Sequence, residues 1–204
     1  LSQPLDMASR GGWLMQAAAR FYIELQHERI APDCIRGTPL DMSQHAAFFG
    51  SMRIPGTPAD QLHINSDLQH PLHVCIALRG HLYRLEVTDT DGHIRSVECL
   101  NGAIQQLLDT APAEGPDIGI CSTADRDTAA NLHQQLMQSA TNTDSYRLVR
   151  DALFLLVLDE QSKDKLEFLH NLLLNGHNRW YDKPVQLAIS PAGDLGVNIE
   201  HAGL

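Results

Sequence analysis

The sequence lacks several features that would assign a chain to a large class of proteins at once. No stretch approaches 18 consecutive apolar residues, so no membrane-spanning helix is predicted. Neither G-x-G-x-x-G nor G-x-x-x-x-G-K-[ST] occurs, which disfavours dinucleotide and P-loop chemistry. No signal peptide is visible, so we expect a location in the cytoplasm or an organelle matrix rather than secretion.

Basic residues are also scarce. The chain has 15 Lys and Arg against 25 Asp and Glu, which gives a formal net charge of −10. Because binding to phosphate backbones needs clustered cations, no nucleic-acid partner is predicted. The 204 residues are 43% hydrophobic, as in an ordinary globular protein that can bury a sizeable core.

Cysteine and histidine do not form recognisable metal motifs. The four cysteines (Cys34, Cys75, Cys99, Cys121) contain no C-x-x-C pair, and three of the four sit in or beside apolar stretches, where free cysteine behaves as a small hydrophobe, so we expect a reducing compartment. Five of the eleven histidines crowd one region: His63, His70, His73, His81 and His93. None has the helical spacing of H-E-x-x-H, so we favour a solvated scatter over the alternative of a metal cluster.

Helical and strand patterns alternate along the chain. Apolar spacing predicts a helix over residues 13–28, after a break at Gly11-Gly12, and a short helix over 41–51. Further segments read as a hairpin over 72–87, a short buried strand over 117–122, a continuously apolar strand over 153–160, and a closing hairpin after residue 184. A helix after 153–160 has Ser162 as its N-cap candidate. These elements predict an α/β fold in which helices cover a mixed β-sheet.

His201 stands out among the histidines by its position. It ends the last apolar strand and directly follows Glu200, where a strand gives way to a loop. An imidazole there can project into a cleft, and its near-neutral pKa suits a general base. Taken alone, a histidine at a strand end is more often structural than catalytic.

Two separated segments of the chain contain recognisable motifs. The first is "PLDMSQHAAFFGSMRIPG", which begins at Pro39, and the second is "GHNRWYDKPVQLAISPAGDLGVNIEHA". Together these segments resemble the choline/carnitine acyltransferase family. Members carry a P-L-C-M-x-Q-Y-like segment that ends in R-[IV]-P-G, then N-R-W-[FY]-D-K, then a hairpin and an E-H-[AS] segment. The resemblance covers nearly the whole chain. Asp41 replaces the usual cysteine, and His45 and Ala46 stand where aromatic residues are common.

The resemblance implies a fold, a reaction and a domain organisation. The fold would be that of the coenzyme-A-dependent, chloramphenicol acetyltransferase-like acyltransferases. Residues 1–204 would form the first, histidine-bearing half of a two-domain protein, truncated at its C-terminal end, with the second domain on the remaining polypeptide. His201 would take a proton from the acceptor hydroxyl, or from the coenzyme A thiol in reverse, during direct transfer without an acyl-enzyme.

The same resemblance defines the expected substrates. Coenzyme A or an acyl carrier protein would carry the thioester as a co-substrate, with no bound cofactor and no metal. The acceptor would be a small alcohol, and carnitine, choline and other alcohols all remain open.

Three further residues, Glu200, Arg179 and Asp182, are candidates for supporting the site. Glu200 could orient or tune it, or could simply face solvent. For Arg179, Asp182 and Lys183 we expect a buried ion pair that braces the hairpin beneath His201, and Trp180 and Tyr181 would be core or tunnel wall.

Two other hypotheses stay open at this point. The chain could be a non-catalytic interaction or scaffold domain that kept the acyltransferase fold. A condensation-type relative would normally have two adjacent histidines, and Glu200 occupies the first of those positions.

Overall fold

The computed structural model describes residues 5–65 and 71–200. The helices of these ranges are α1 (Met7–Gln26), α2 (Val97–Thr110), α3 (Arg126–Leu136), α4 (Ala140–Arg150) and α5 (Lys165–Leu174), with 3₁₀ helices at Ser43–Ala47 and Ile118–Thr123. The strands are β1 (Cys34–Ile35), β2 (Thr38–Pro39), β3 (Ser51–Ile54), β4 (Gln61–Ile64), β5 (His73–Leu78), β6 (His81–Glu86), β7 (Leu155–Leu158), β8 (Val185–Ile189) and β9 (Leu195–Ile199). Within the described ranges, no helix is both long enough and apolar enough to cross a membrane.

A five-stranded mixed sheet forms the centre of the fold. Its strand order is β6-β5-β7-β8-β9, with β5, β7 and β8 parallel and the two edge strands antiparallel to their neighbours. Every residue of β7 is buried, as its continuous apolar run predicts for a central strand covered on both faces. The predicted α/β class with a mixed sheet is confirmed. Two small antiparallel pairs, β1-β2 and β3-β4, lie outside this sheet.

The two faces of the sheet bury separate clusters because side chains alternate along each strand. Ile76, Leu156 and Ile189 pack on one face, in the cluster that contains buried residues of α1 and α2. Leu155 and Val157 point to the other face and pack in the cluster that contains buried residues of α4 and α5. Burial of each such side chain contributes roughly 1.5–3 kcal/mol, so the two clusters account for much of the driving force for folding.

The predicted hairpin over 72–87 is confirmed. β5 and β6 pair in register from His73 with Glu86 to Leu78 with His81, which leaves Arg79 and Gly80 as a two-residue turn. Both turn residues have positive φ, 53° and 74°. Such a turn matches the twist of the flanking strands, which is why it joins antiparallel neighbours so directly.

The expected break at Gly11-Gly12 is wrong, because both glycines lie inside α1. A Cβ atom on Gly11 would lie 2.6 Å from Ile104 Cδ1, and one on Gly12 would lie 1.9 Å from Asn101 Oδ1. The two glycines therefore let α1 approach α2 closely, and this helix contact offsets the low helix propensity of glycine.

Three other local predictions need correction. Residues 117–122 do not form a strand: Asp117 has φ 47°, and a 3₁₀ helix follows it. The helix expected over 41–51 is only a 3₁₀ turn that leads into β3. Ser162 does not cap α5; the Asp164 side chain accepts from the Glu167 amide instead, while Ser162 bonds to Asp159.

Candidate active site

The β8–β9 hairpin determines where the predicted catalytic segment begins. Its last cross-strand pair joins Val185 to Ile199, and the amide of Glu200 then donates to the Pro184 carbonyl at 2.8 Å. Glu200 thus lies at the amino end of β8, where the backbone enters the sheet. His201 lies outside the described residues.

Arg53 connects Glu200 to Asp182. Its Nε donates to Asp182 Oδ1 at 3.0 Å, and its Nη1 donates to Glu200 Oε1 at 3.1 Å. Its backbone amide donates to the Asp182 carbonyl at 2.9 Å. Arg53 belongs to the R-I-P-G segment, Asp182 to N-R-W-Y-D-K and Glu200 to E-H-A, so the fold brings the three segments that carry the family resemblance to one point.

Two residues outside those segments extend the ion pairs. Arg126, at the start of α3, donates from Nη1 to Asp182 Oδ1 at 3.0 Å and from Nε to Asp60 Oδ2 at 2.8 Å. Asp60 also accepts from the Gly56 amide at 3.2 Å. We call the five side chains of Arg53, Asp60, Arg126, Asp182 and Glu200 the carboxylate–arginine network. Sequence reasoning missed Arg126 and Asp60, since neither stands in a recognisable motif.

Asp182 is the buried centre of this network, with a side chain only 3% exposed. Burial raises the pKa of its carboxyl above the ordinary value, and the guanidinium groups of Arg126 and Arg53 act in the opposite direction. A carboxylate buried this deeply is tolerated because both cations hydrogen-bond to it. The network therefore depends on keeping its two arginines in place.

Arg179 is buried as predicted, but its carboxylate partner is not Asp182. Its Nη2 donates to Asp159 Oδ2 at 3.2 Å, and the two side chains are 2% and 7% exposed. The guanidinium also donates to the carbonyls of Asn178 and Asn171. Asp159 directly follows β7, so this pair fastens the loop before β8 to the central strand rather than to the end of β9.

Lys183 is also buried, yet it does not take part in the ion pair expected for it. Its Nζ donates to the Arg150 carbonyl at 2.9 Å and to the Ala152 carbonyl. No carboxylate of the described ranges lies within 4.0 Å of that nitrogen. Burial lowers the pKa of Lys183 from 10.5 to about 7. Lys183 thus holds the end of α4 through hydrogen bonds to carbonyl groups.

The two aromatic residues of N-R-W-Y-D-K have different environments. Trp180 is buried in the same cluster as Tyr146, with ring centroids 5.8 Å apart in an edge-on arrangement. Tyr181 is partly buried and donates from its hydroxyl to the Asn175 carbonyl at 2.9 Å. Trp180 is therefore core, as one of the two predictions had it.

Neither the cysteines nor the described histidines form a competing centre. Burial raises the pKa of Cys75 to about 12, which removes it as a thiolate nucleophile. The expected solvated scatter is wrong for His73, which is buried and bonds to the Leu148 carbonyl. His63 bonds to Asp151, and His70 lies outside the described residues. Among the residues with described positions, one group has metal-ligand spacing: Asp89, Asp91 and His93, in an exposed turn whose backbone amides already bond to Asp89.

Two cavities of the described ranges bear on the position of the candidate site. A cavity of about 480 Å³ is lined by Arg79, Leu158 and His177. It lies at the carboxyl ends of the parallel strands β5 and β7, whereas Glu200 lies at the amino end of β8. A smaller cavity, of about 360 Å³, is lined by Ile54 and Tyr146. Ile54 directly follows Arg53 in the sequence. The larger cavity is therefore at the opposite end of the sheet from Glu200.

Known proteins match this chain over almost its full length. The model of the Choline/Carnitine o-acyltransferase family matches residues 2–204. Human mitochondrial carnitine O-palmitoyltransferase 2 is 35% identical over 171 residues, which cover 82% of this chain and 25% of that protein. Choline O-acetyltransferase of Danio rerio is 30% identical over 181 residues, which cover 82% of this chain and 28% of that protein.

The chain thus spans between a quarter and a third of the length of these two relatives. The matched region contains the three segments that meet at Arg53 and the His201 position. On the breadth of the family match and the identity to these proteins, the chain belongs to the choline/carnitine O-acyltransferase family.

Proposed function

We propose that the protein containing this chain is an O-acyltransferase. It moves an acyl group between a thioester, on coenzyme A or a carrier protein, and the hydroxyl of carnitine, choline or a similar alcohol. The observation that carries this proposal is the convergence of Arg53, Asp182 and Glu200, since it gathers the family's separate segments directly before His201. The named activities of the two relatives support the same reaction class.

His201 is the general base of the proposed reaction. A neutral imidazole accepts the proton of the acceptor hydroxyl while the hydroxyl oxygen attacks the thioester carbonyl. The tetrahedral intermediate then collapses, the carbon–sulfur bond breaks, and the imidazolium returns its proton to the leaving thiolate. The acyl group moves in one displacement, and the histidine ends the cycle in its starting state.

We also propose that the chain is the histidine-bearing half of a two-domain protein with the chloramphenicol acetyltransferase-like fold. The relatives are several times longer than the matched region. The edge strand β9 presents Leu195, Val197 and Ile199 with 41%, 45% and 49% of their surface exposed, and on neighbouring α5 Leu166 and Leu173 are 78% and 71% exposed. The three β9 residues pair with residues of the α1 face, whereas Gly196 faces α5, so apolar surface is exposed on both faces of this sheet edge and needs a cover. The second domain supplies that cover and the remaining half of the site.

The test is a measurement of free thiol released from an acyl thioester by the full-length polypeptide. We expect release to depend on carnitine, choline or another alcohol, and to fall roughly 10²–10⁴-fold in His201→Ala. His93→Ala removes a histidine that is 79% exposed in a remote turn and serves as the matched control. Undiminished turnover in His201→Ala would reject the base, and coenzyme A binding without any acceptor-dependent release would favour the scaffold hypothesis.

A further inference from the structure

The Arg53 guanidinium acts as a bridge between two carboxylates that lie far apart in the sequence. It uses different nitrogens for each, Nε for Asp182 and Nη1 for Glu200, and these partners are 129 and 147 residues away along the chain. The side chain of Arg53 is 23% exposed, that of Asp182 3% and that of Glu200 22%. Such a partly desolvated, charge-assisted pair is stronger and more directional than a surface ion pair.

The bridge holds the residue from which His201 extends. β9 is the edge strand of the sheet, so its backbone pairs with β8 on one side. The amide of Glu200 still bonds to Pro184, and its side chain is drawn to Arg53. Asp182 is itself fixed by Arg126 and by the backbone amide of Arg53. The end of β9 is therefore tied through Arg53 to a rigid, buried anchor.

We propose that Arg53 is a positioning residue of the acyl transfer reaction. It sets the orientation of the segment that carries His201 by tying Glu200 to Asp182, and it neutralises the carboxylate of the residue that precedes the base in the sequence. This inference rests on the proposed function of His201. Arg53 does not itself touch substrate; it acts through Glu200.

Only arginine can make this bridge with one side chain. Its Nε and Nη1 point in different directions within one rigid plane, so both carboxylates are bonded at once. A lysine carries the same charge on a single nitrogen and cannot reproduce this two-sided geometry. Arg53→Lys therefore separates the charge of Arg53 from its bridging shape.

The charges give the two ends of the bridge opposite effects on the base. Without the Arg53 cation, the Glu200 carboxylate beside His201 favours the imidazolium and raises the pKa of the base. Without the Glu200 charge, the remaining Arg53 cation disfavours the imidazolium and lowers that pKa. If Arg53 and Glu200 contributed only to folding, neither substitution would shift the pKa of the base.

The experiment measures kcat, KM and the pH profile of acyl transfer by the full-length polypeptide and its Arg53→Met, Arg53→Lys and Glu200→Gln variants. We expect kcat to fall roughly 10- to 100-fold in Arg53→Met and Arg53→Lys, as for a misplaced catalytic group, with KM values within about twofold of wild type. The acid limb of the kcat profile should move up by roughly half a pH unit in Arg53→Met and down in Glu200→Gln. In the double variant Arg53→Met/Glu200→Gln, kcat should fall no further than in Arg53→Met, because both changes break one link.

Arg147→Met is the matched control, since it breaks an exposed Arg–Asp pair within one helix turn and should leave all parameters unchanged. Wild-type kcat and an unmoved profile in Arg53→Met would overturn the proposal. So would a loss that merely follows the fraction of folded protein, measured by circular dichroism, or full rescue by lysine. If Arg53→Met fails to fold, the opposite profile shift in Glu200→Gln decides the matter. An inactive wild type, or an active His201→Ala, would instead refute the proposed function.

Discussion

The buried Lys183 gives the fold a pH-dependent stability that a single substitution should expose. Its ammonium group is 1% exposed and bonds to two carbonyl groups rather than to a carboxylate of the described ranges. The pKa of Lys183 falls from 10.5 to about 7 on folding because burial disfavours the charged form. The nearby groups that act on this pKa are Cys75, Asp151 and Arg150.

The sign of the effect follows from proton binding. Between pH 7 and pH 10.5 the unfolded lysine is protonated and the folded one is not, so the unfolded state binds more protons and stability rises with pH. Below pH 7 both states are charged, and the folded state carries the full cost of roughly 5 kcal/mol. From pH 6 to pH 9 the contribution of Lys183 should become more favourable by roughly 2–3 kcal/mol.

Lys183→Met keeps the shape of the stem and removes the titration. It also leaves the Arg150 and Ala152 carbonyls without their donor, at a cost of roughly 1–3 kcal/mol each. We therefore expect the variant to be clearly less stable than wild type at pH 9, and the gap to narrow steadily towards pH 6. Folding raises the pKa of Cys75 from 9.0 to about 12, so this thiol titrates within the window only in the unfolded state, and that contribution is common to wild type and variant.

The assay is urea unfolding of wild type and variant at pH 6, 7, 8 and 9, followed by circular dichroism. Groups that titrate alike in both proteins drop out of the difference between the free energies of unfolding of wild type and variant at each pH. A difference that stays constant over this range would refute the reasoning, because it would mean that Lys183 keeps an ordinary pKa in the folded state.

Three other predictions concern packing and charge. Gly119→Ala should destabilise the fold by more than about 2 kcal/mol, since its Cβ would lie 2.0 Å from the Arg179 carbonyl oxygen. Gly102→Ala, whose Cβ would have nothing within 4 Å, should stabilise α2 by up to about 1 kcal/mol. Urea unfolding measures both free energies, and equal effects would contradict the close approach at Gly119. Leu156→Ala should lower the free energy of unfolding by roughly 2–5 kcal/mol, because Leu156 is buried in the core. Leu166 is 78% exposed, so Leu166→Ala should change it by no more than about 0.5 kcal/mol. Similar melting temperatures of the two variants would argue against this difference in burial. Asp159→Ala leaves the Arg179 guanidinium buried without its carboxylate and should lower the free energy of unfolding by roughly 3–5 kcal/mol. The double variant Asp159→Ala/Arg179→Met should recover part of that stability. If the losses of the two single variants simply added, the ion pair would be disproved.

Much of the sheet could be predicted because its signals are local. The continuous apolar run of β7 and the turn residues Arg79 and Gly80 each specify an element within a few residues of sequence. Gly11 and Gly12 misled the prediction for the opposite reason. Low propensity indicates a break, while the advantage of a close contact with α2 depends on residues about ninety positions away.

The sequence predicts several residues of the candidate site but not which carboxylate pairs with which arginine. The sequence identifies Arg179, Asp182 and Glu200 through their segments, yet any of several carboxylates could pair with any arginine. The choice of Asp159 for Arg179, and of Arg53 for Asp182 and Glu200, follows from strand order and register. Arg126 and Asp60 join the network only because the start of α3 lies against the connection between β3 and β4, which no local pattern shows.

The measurement that most directly tests the account is a crystal structure of the full-length polypeptide with coenzyme A bound. The account predicts an imidazole nitrogen of His201 within about 3.5 Å of the thiol sulfur, or joined to it through one water, with Arg53 between Asp182 and Glu200. A coenzyme A thiol bound elsewhere, with the His201 ring turned away from any passage, would contradict it.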